Sequence, residues 1–525
     1  YDSLLYHLSI PLHDIEMGRI VVPNDARGAQ ALFPAMTSNL TRFLLVFTDG
    51  ETAQIAHGSY GIAVAAGAGL MVRRFGYGVN VALIAALFFL VIRGVVWQMA
   101  SAETDIPLAT FSIAAFISYL AWREHRVAGL GVLFGLMIGG MILTKYTGFA
   151  VALSFGALVI YDMAKAGKKM TFDLIGPAVA MFVVLPHMIR NMILTDNPVF
   201  PLFNSVFNPD KVNPYGSVSG ELGTGRGLID FLTAPWNIFI VPMQYFDGMV
   251  VGAPYLLAFI PFIFLDRERN KQWVPLFPAC AIYFLIWFFV LTHQVRFLMP
   301  LMPLMAAMAA AGTAIMWQRV RGNNNFLVLG FATVVAILGL NQIMFVGVYA
   351  ALRLPTAIGF ISSSDYHAKT PTMNGAYYDT CTYIRDNLKP GETYYSGIAF
   401  PSYYCPQASV AYKRFLEEEI WILGTGVPAK YTHGEFVSKM EKANFRYMIL
   451  VTGYYTRRDR TTGYKARENI TARTIKIPAD KLAYRFKEYL APAIKNIKPL
   501  IRGPNSNVYD GAEVLEAVKR MKPRS

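Results

Sequence analysis

Long apolar runs are the feature that most constrains this chain. They recur between residues 57 and 350, and a run of about 20 residues is enough to cross a hydrocarbon core of about 30 Å. Charged residues make up only 16% of the chain, against about 25% in soluble proteins. The sequence therefore predicts an all-α polytopic membrane domain over residues 1–354. Its ten predicted spans are 57–74, 79–98, 106–122, 127–144, 147–163, 173–191, 249–265, 273–292, 297–316 and 326–349.

Lysine and arginine cluster in alternate loops between these runs. The clusters are Arg73 and Arg74; Arg123 and Arg126; Lys165, Lys168 and Lys169; Arg267, Arg269 and Lys271; Arg319 and Arg321. Such clusters mark cytoplasmic loops, so the net charge of +14 indicates topology and lipid contact and does not point to nucleic acid. An even number of spans places Tyr1 and the tail on the same outer face. A further helix before Tyr1 would bring the total to eleven.

Two outer segments are too long to be simple connectors. In the first outer loop, residues 1–56, the stretch LFPAMTSNLTRFLLVF has apolar residues at helical spacing with polar ones between them. This pattern predicts an amphipathic helix at the membrane surface. In the long outer loop, residues 192–248, FLTAPWNIFIVPMQYF predicts a second interfacial element, in which Pro235 and Pro242 should prevent one long helix.

The tail, residues 355–525, has the pattern of a small periplasmic α/β domain. AYYDTCTYIRDNL and GEFVSKMEKANF have helical spacing, whereas TYYSGIAF and RYMILV suit strands. The tail is basic, and it contains no nucleotide-binding motif. Cys381 and Cys405 could pair in an oxidising compartment, or they could both be unpaired structural residues.

Few charged or titratable side chains remain once the cytoplasmic clusters are set aside, and these fall at one membrane depth. A charge in the bilayer costs about 2.5 to 3.5 kcal/mol on insertion scales, so the remaining charges are functional candidates. The candidates are Asp2, His7, Arg93, Glu103, Asp105, Lys145, His187, Arg190 and Arg296. Together they predict an outer site for a phosphate-bearing lipid and an acceptor hydroxyl.

Each candidate also has a structural alternative. The acids could cap helices, the lysine could extend its amine to the interface, and the arginines could contact lipid headgroups. His7 could pack at the interface instead of orienting a substrate. His187 and His293 with the acids could bind a divalent metal, but there is no H-E-x-x-H spacing, so a divalent metal remains an open alternative and no cofactor is predicted.

Five motifs, in order over about residues 1–310, resemble the bacterial GT-C class of integral membrane glycosyltransferases. They are D-x-x-x-Y-H, E-T-D, L-T-K-Y-T-G, R-N-M-I-L-T-D-N-P-V-F-P and Q-V-R-F-L-M-P-L-M-P-L. The resemblance is to the branch related to protein O-mannosyltransferases and lipid A aminoarabinose transferases. The helical domain followed by a soluble tail also fits this class.

The resemblance implies a polyprenyl-phosphate-linked sugar donor and transfer on the outer face. The catalytic base of the class matches Asp2, and its second acidic motif matches Glu103 and Asp105. Lys145, Arg190 or Arg296 would hold the donor phosphate. Ser3 follows Asp2 where a second acid is commoner, and this departure leaves metal dependence open.

Elementary chemistry supports the same roles. An acceptor hydroxyl needs a carboxylate to take its proton, and a leaving phosphate needs fixed cations. Direct displacement by the acceptor would invert the sugar's configuration. We therefore expect a glycosyltransferase of the bacterial inner membrane, acting on a lipid, glycan or protein acceptor. The alternatives are a catalytically idle subunit of a larger membrane complex and a transporter, which the lack of inverted halves disfavours.

Overall fold

The computed structural model describes most of the chain and is dominated by helices. The described residues are 3–23, 30–166, 174–209, 225–240, 245, 253–266, 268, 271–274, 276–322, 325–369, 378–396, 403–407, 409, 432–451, 490–503 and 506–521. A π-helical turn, Ser3–His7, precedes α1 (Ser9–Glu16) and α2 (Met36–Phe47), with a 3-10 turn at Gln30–Leu32 between them. The helices that follow are α3 (Gly50–Arg74), α4 (Val79–Leu90), α5 (Arg93–Met99), α6 (Asp105–His125), α7 (Ala128–Thr144), α8 (Thr147–Ala166), α9 (Ile175–Thr195), α10 (Asn204–Phe207) and α11 (Leu228–Ile240).

The second half of the bundle contains several 3-10 segments. It comprises α12 (Pro254–Phe259) with its 3-10 extension Ile260–Leu265, a 3-10 turn Lys271–Trp273, α13 (Leu276–Phe289), a 3-10 segment Val295–Leu301 that leads into α14 (Met302–Arg321), and α15 (Asn325–Ala357). The helix α15 therefore continues past residue 354, where the sequence predicted the end of the membrane domain.

Helix occupies all ten predicted spans, although their lengths differ. Within the described ranges, six helical segments are long and apolar enough to cross a membrane, or seven if the bent pair α4 and α5 counts as one span. Shorter apolar helices at α7, at α12 with its extension and at α13 correspond to the other three predicted spans. The predicted continuous span 79–98 is wrong in shape, because α4 and α5 meet at an angle of 74°.

Small residues let two of the spanning helices approach closely. A side chain at Gly135 in α7 would come within 2.4 Å of the Gly176 carbonyl oxygen of α9, and one at Gly139 would come within 2.8 Å of Val183. Membrane helices associate through such close backbone packing, because burial of apolar surface supplies little driving force in lipid. The glycines therefore explain why α7 packs along α9.

Residues from three of the predicted basic clusters lie at one end of the bundle. Arg74 at the end of α3 pairs with Glu124 of α6. The Arg123 Nε atom lies 2.9 Å from an oxygen of Asp162 in α8. Arg319 at the end of α14 donates to the Leu265 carbonyl at 2.7 Å. These contacts place the ends of five helical segments, from separate parts of the chain, on one side.

Helices are present in both predicted interfacial segments. The helix α2 leaves Phe43 and Phe47 exposed, as expected for a helix on a membrane surface. In the long outer loop, α11 runs through Pro235 and ends at Ile240, so Pro235 by itself does not interrupt the helix. Pro242 lies outside the described residues.

The tail contains an α/β unit, as predicted. Its helices are α16 (Ser363–Lys369), α17 (Tyr378–Asn387), α18 (His433–Ala443), α19 (Ala491–Ile494) and α20 (Gly511–Lys519), and its strands are β1 (Tyr394–Ser396), β2 (Tyr447–Val451), β3 (Ile501–Arg502) and β4 (Ser506–Asp510). The sheet order is β1-β2-β4-β3, with β1 parallel to β2 and the other pairs antiparallel.

Alternate residues of β2 face two separate cores. Ile449 packs in one cluster with Ile384 of α17, whereas Met448 packs in the other with Phe436 of α18 and Val514 of α20. A strand buried on both faces reads as a continuous apolar run, which is the pattern of RYMILV. A disulfide joins Cys381 to Cys405, which decides between the two alternatives that the sequence left open.

Candidate active site

The acidic turn between α5 and α6 carries two of the predicted site residues. Glu103 precedes α6, and Asp105 is its first residue. Both carboxylates are buried. Gln98, at the end of α5, donates to Asp105 Oδ2 at 3.1 Å and accepts from the Ile106 amide at 3.2 Å. The bend between α4 and α5 thus brings Gln98 over the start of α6.

Two predicted cations from distant parts of the chain meet this turn. Lys145, from the turn between α7 and α8, places its amine 2.5 Å from Asp105 Oδ1. Arg296, from the 3-10 segment before α14, places Nη1 3.3 Å from Glu103 Oε2 and Nε 3.9 Å from Asp105 Oδ2. Both cations also lie over the ring of Phe297, at 4.3 and 5.7 Å from its centroid. Two acids and two bases therefore form one charge-balanced cluster, named here the acid-base cluster.

The members of the acid-base cluster differ in how far solvent reaches them. The side chains of Asp105 and Glu103 are 0% and 3% exposed, whereas those of Lys145 and Arg296 are 22% and 15% exposed. A buried carboxylate is costly unless it has a partner charge and hydrogen bonds, and the two cations with Gln98 supply them. The cations form the accessible face, and the acids lie behind it.

The first outer loop reaches the same cluster through Ser3. Its hydroxyl donates to Glu103 Oε1 at 3.3 Å. Asp2, the predicted base, lies outside the described residues and is the chain neighbour of Ser3. His7 ends the π-helical turn that begins at Ser3, so it belongs to the loop that touches the cluster.

A second polar network lies beside the cluster and contains His187 and Arg190. Asn191 donates to the Leu32 carbonyl at 3.0 Å and to the Tyr146 hydroxyl at 3.1 Å. The same amide lies 3.3 Å from His187 Nε2, and Arg190 donates to the Ala31 carbonyl at 3.2 Å. This network joins α9 to the first outer loop. Since Tyr146 follows Lys145, one turn serves both the network and the cluster.

Arg93 is directed elsewhere. Its guanidinium donates to the Asn341 side chain at 2.6 Å and lies 4.9 Å from the centroid of Phe345. Both partners belong to α15. These contacts attach α5 to the last spanning helix, so the structure does not bring Arg93 to the acid-base cluster.

Nearby in the first outer loop, Asp14 and Arg42 join α1 to α2. Arg42 Nε lies 2.6 Å from Asp14 Oδ2. Burial alone would raise the pKa of the Asp14 carboxyl, but contacts with His13, the Val21 amide and Arg42 outweigh it and hold that pKa below its ordinary value. Asp14 therefore stays ionised and keeps the two helices of the loop together.

The described residues do not fit a divalent metal. Among these residues, no group of three or more His, Cys, Asp or Glu side chains comes together. Glu103 and Asp105 already face Arg296 and Lys145, whose charges would oppose a cation. His187 faces Tyr146 and Asn191 instead.

Sequence reasoning overlooked the uncharged members of the site. Gln98, Ser3 and Phe297 all touch charged members, and Gln98 is fully buried. A buried amide near the end of an apolar helix needs a partner, and that requirement was the available signal. The ring of Phe297 carried none, because phenylalanine is frequent in any membrane helix.

Comparison with known proteins agrees with this architecture. Residues 41–189 match the family described as dolichyl-phosphate-mannose-protein mannosyltransferase. A search of curated protein sequences found no significant match. Among solved structures, ArnT from Cupriavidus metallidurans bound to undecaprenyl phosphate is similar with a TM-score of 0.58 at 13% identity, over 96% of this chain and 93% of that one.

Two further solved structures have the same fold. ArnT from the same organism in the apo state gives a TM-score of 0.56 at 14% identity, over 97% of this chain and 93% of that one. The Archaeoglobus fulgidus oligosaccharyltransferase tethered to an acceptor peptide gives 0.53 at 14% identity, over 85% of this chain and 64% of that one. At these identities the structures establish the fold only.

The family match and the shared fold together indicate a membrane glycosyltransferase of the GT-C class. The resemblance found in the sequence motifs is thereby confirmed. The family match begins within α2 and ends within α9. It includes the acidic turn, Lys145, Tyr146 and His187, whereas Arg190 and Asn191 lie just beyond it.

Proposed function

We propose that this protein transfers a sugar from a polyprenyl-phosphate donor to an acceptor hydroxyl at the periplasmic face of the bacterial inner membrane. The observation that carries the proposal is the convergence of Lys145 and Arg296 on Glu103 and Asp105. Cations at the ends of membrane helices, held by buried acids, suit a phosphate whose lipid tail stays in the bilayer. The similar ArnT structure, which contains undecaprenyl phosphate, supports the same donor class.

The reaction would proceed by one displacement. The acceptor oxygen bonds to the anomeric carbon while the bond from that carbon to the phosphate oxygen breaks, and the configuration inverts. The leaving polyprenyl phosphate gains negative charge, which Lys145 and Arg296 stabilise. Such stabilisation is strong where the groups are fixed and water is scarce. Asp105, fully buried behind both cations, acts as a positioning residue that holds them in place.

The acceptor proton would pass to a carboxylate of the first outer loop. Asp2 is the candidate base because the residue that follows it in the chain, Ser3, donates to Glu103. His7 of the same loop and Glu103 would orient the acceptor. The acceptor would be a lipid, a glycan or a protein. The two cations of the site bear on the donor, because they would bind its phosphate.

The test is consumption of radiolabelled polyprenyl-phosphate sugars by the purified protein in membranes that contain natural acceptors. We expect Asp2→Asn to lower kcat by about 10²- to 10⁴-fold, the usual effect of removing a general base. Lys145→Ala and Arg296→Ala should each lower it by about 10²- to 10³-fold. Arg74→Ala, an equivalent change at the opposite end of the bundle, should leave kcat unchanged.

The competing possibility is a catalytically idle subunit. It would be supported if the folded wild type consumed no donor while Asp2→Asn still sustained the biological function of the protein. Equal turnover by wild type, Lys145→Ala and Arg296→Ala would instead refute the assignment of the phosphate site.

A further inference from the structure

The tail sends one short segment back to the first outer loop. This segment, residues 403–407, is named here the docking segment. The Tyr403 amide donates to the Leu4 carbonyl at 2.9 Å, and the Gln407 amide donates to Glu16 Oε2 at 2.8 Å. Each bond joins the tail to the first outer loop across almost 400 residues of sequence, so neither is a local turn contact.

Apolar packing accompanies these hydrogen bonds. Leu4 and Leu8 of the first outer loop form a small buried cluster with Ala102, and Tyr403 and Tyr404 pack against it. Ala102 directly precedes Glu103. The docking segment therefore lies against both chain segments that supply carboxylates to the proposed site.

Tyr403 also fits closely against the start of α3. A methyl group at Gly50 would come within 2.7 Å of the Tyr403 ring and hydroxyl. Only glycine leaves room for the ring at this position. The tyrosine thus contacts the first outer loop through its amide and the first residue of α3 through its ring.

The tail fixes the docking segment from the other side. Cys405 forms the disulfide with Cys381 of α17. The ring of Tyr404 lies 4.9 Å from that of His367 in α16 and 4.8 Å from that of Tyr378 in α17. The segment is consequently anchored to the tail by a covalent bond and by aromatic contacts.

We propose that the docking segment positions the active site, by holding the start of the first outer loop so that Ser3, the residue that follows Asp2 in the chain, stays against Glu103. Tyr403 is its main positioning residue, and the Cys381–Cys405 disulfide is its anchor. This proposal rests on the proposed function, because it assigns the segment a role in that reaction. It makes the soluble tail a part of the catalytic apparatus.

The first experiment displaces Tyr403 without altering any site residue. Gly50→Ala should push the ring away, and Tyr403→Ala should remove it. We expect each to lower kcat by about tenfold or more, since a misplacement of about 1 Å can cost about 10²-fold, while the KM for the donor changes by less than about twofold. Tyr403→Phe, which keeps the ring, should retain most of the wild-type kcat.

Gly129→Ala is the matched control, because Gly129 also lies at the start of a membrane helix and nothing is within 4 Å of its added methyl group. It should behave as wild type. Wild-type kcat in both Gly50→Ala and Tyr403→Ala, or a change in KM alone, would overturn the proposal.

Hydrogen–deuterium exchange separates this inference from the proposed function. Amides of residues 3–8 should exchange faster in Tyr403→Ala and Gly50→Ala than in the wild type and in Gly129→Ala. Unchanged exchange would overturn the inference even if the wild type were active. A wild type that consumes no donor would contradict the proposed function, and the exchange experiment would still decide whether the segment holds the loop.

Reduction tests the anchor. An added phosphine, itself oxidised, would convert the disulfide into two thiols, and kcat of the wild type should then fall. The double variant Cys381→Ser, Cys405→Ser should start at the lower value and show no further fall. If the kcat of the wild type were unchanged after complete reduction, the proposed role of the disulfide would be overturned.

Discussion

The positions of single side chains at the proposed site depend on a few specific neighbours of opposite charge. Lys145 and Arg296 point at the acidic turn because Asp105 and Glu103 are buried there as their counter-charges. Breaking such a pair leaves an uncompensated buried charge, which is why removal of one partner costs far more than the pair contributes. Residue-level function here depends on pairs of side chains.

Outside the spans, the pKa of His367 also depends on the groups that surround it. Burial lowers the pKa of His367 below its ordinary value of 6.5, with Asp379 opposing the shift. Its ring packs on Tyr378 and Tyr404. Below pH 6.5 the unfolded chain binds a proton that the folded chain resists, so stability falls as the pH falls.

We expect the midpoint of thermal unfolding, measured in detergent, to drop between pH 7.5 and pH 5.5 in the wild type. His367→Phe keeps an aromatic ring but cannot be protonated, so its drop should be smaller. His125→Gln, at an exposed position, serves as the control and should show the wild-type drop. An identical drop in His367→Phe would contradict the assignment.

At the scale of elements, the close packing between helices determines the positions of the turns that carry the site residues. The turn that holds Lys145 follows α7, and α7 is packed along α9 through Gly135 and Gly139. The second polar network, on α9, touches the residue after Lys145. A shift of α7 against α9 would therefore move Lys145 relative to Asp105.

Gly135→Ala should destabilise this helix pair. The added methyl group would meet a backbone carbonyl of α9, which cannot move aside as a flexible side chain would, and overpacking costs about 1 to 3 kcal/mol. We expect a lower midpoint of thermal unfolding and lower activity together. Gly156→Ala, with open space around the added methyl group, should change neither.

For the whole molecule, the two ends of the bundle are chemically distinct. One end collects Arg74, Arg123 and Arg319 with their partners, and the other collects the acid-base cluster and the tail. Clustered lysine and arginine mark the cytoplasmic side. The tail and the proposed site should accordingly share the periplasmic side.

Labelling of single cysteines tests this orientation. In a Cys280→Ala background, Lys442→Cys on the tail should react with a membrane-impermeant maleimide in intact spheroplasts. Glu124→Cys, at the basic end, should react only after permeabilisation. Both residues are exposed, so accessibility to the reagent depends on the side of the membrane. Labelling of Glu124→Cys in intact spheroplasts would refute the predicted topology.

The sequence alone determined that the spans are helical, the segregation of charge, and the helix and strand assignments at Tyr378–Asn387 and Tyr447–Val451. It did not reveal the bend within the predicted span 79–98. These follow from local physics, because lipid leaves helices as the way for such apolar runs to satisfy their backbone, and periodicity records which faces are buried. Only the tertiary structure decided that Arg296 meets Glu103, that Arg93 turns to Asn341, and that Tyr403 reaches Leu4. Each of these contacts joins segments far apart in the chain, and their meeting depends on helix bends and close glycine packing that no local pattern encodes.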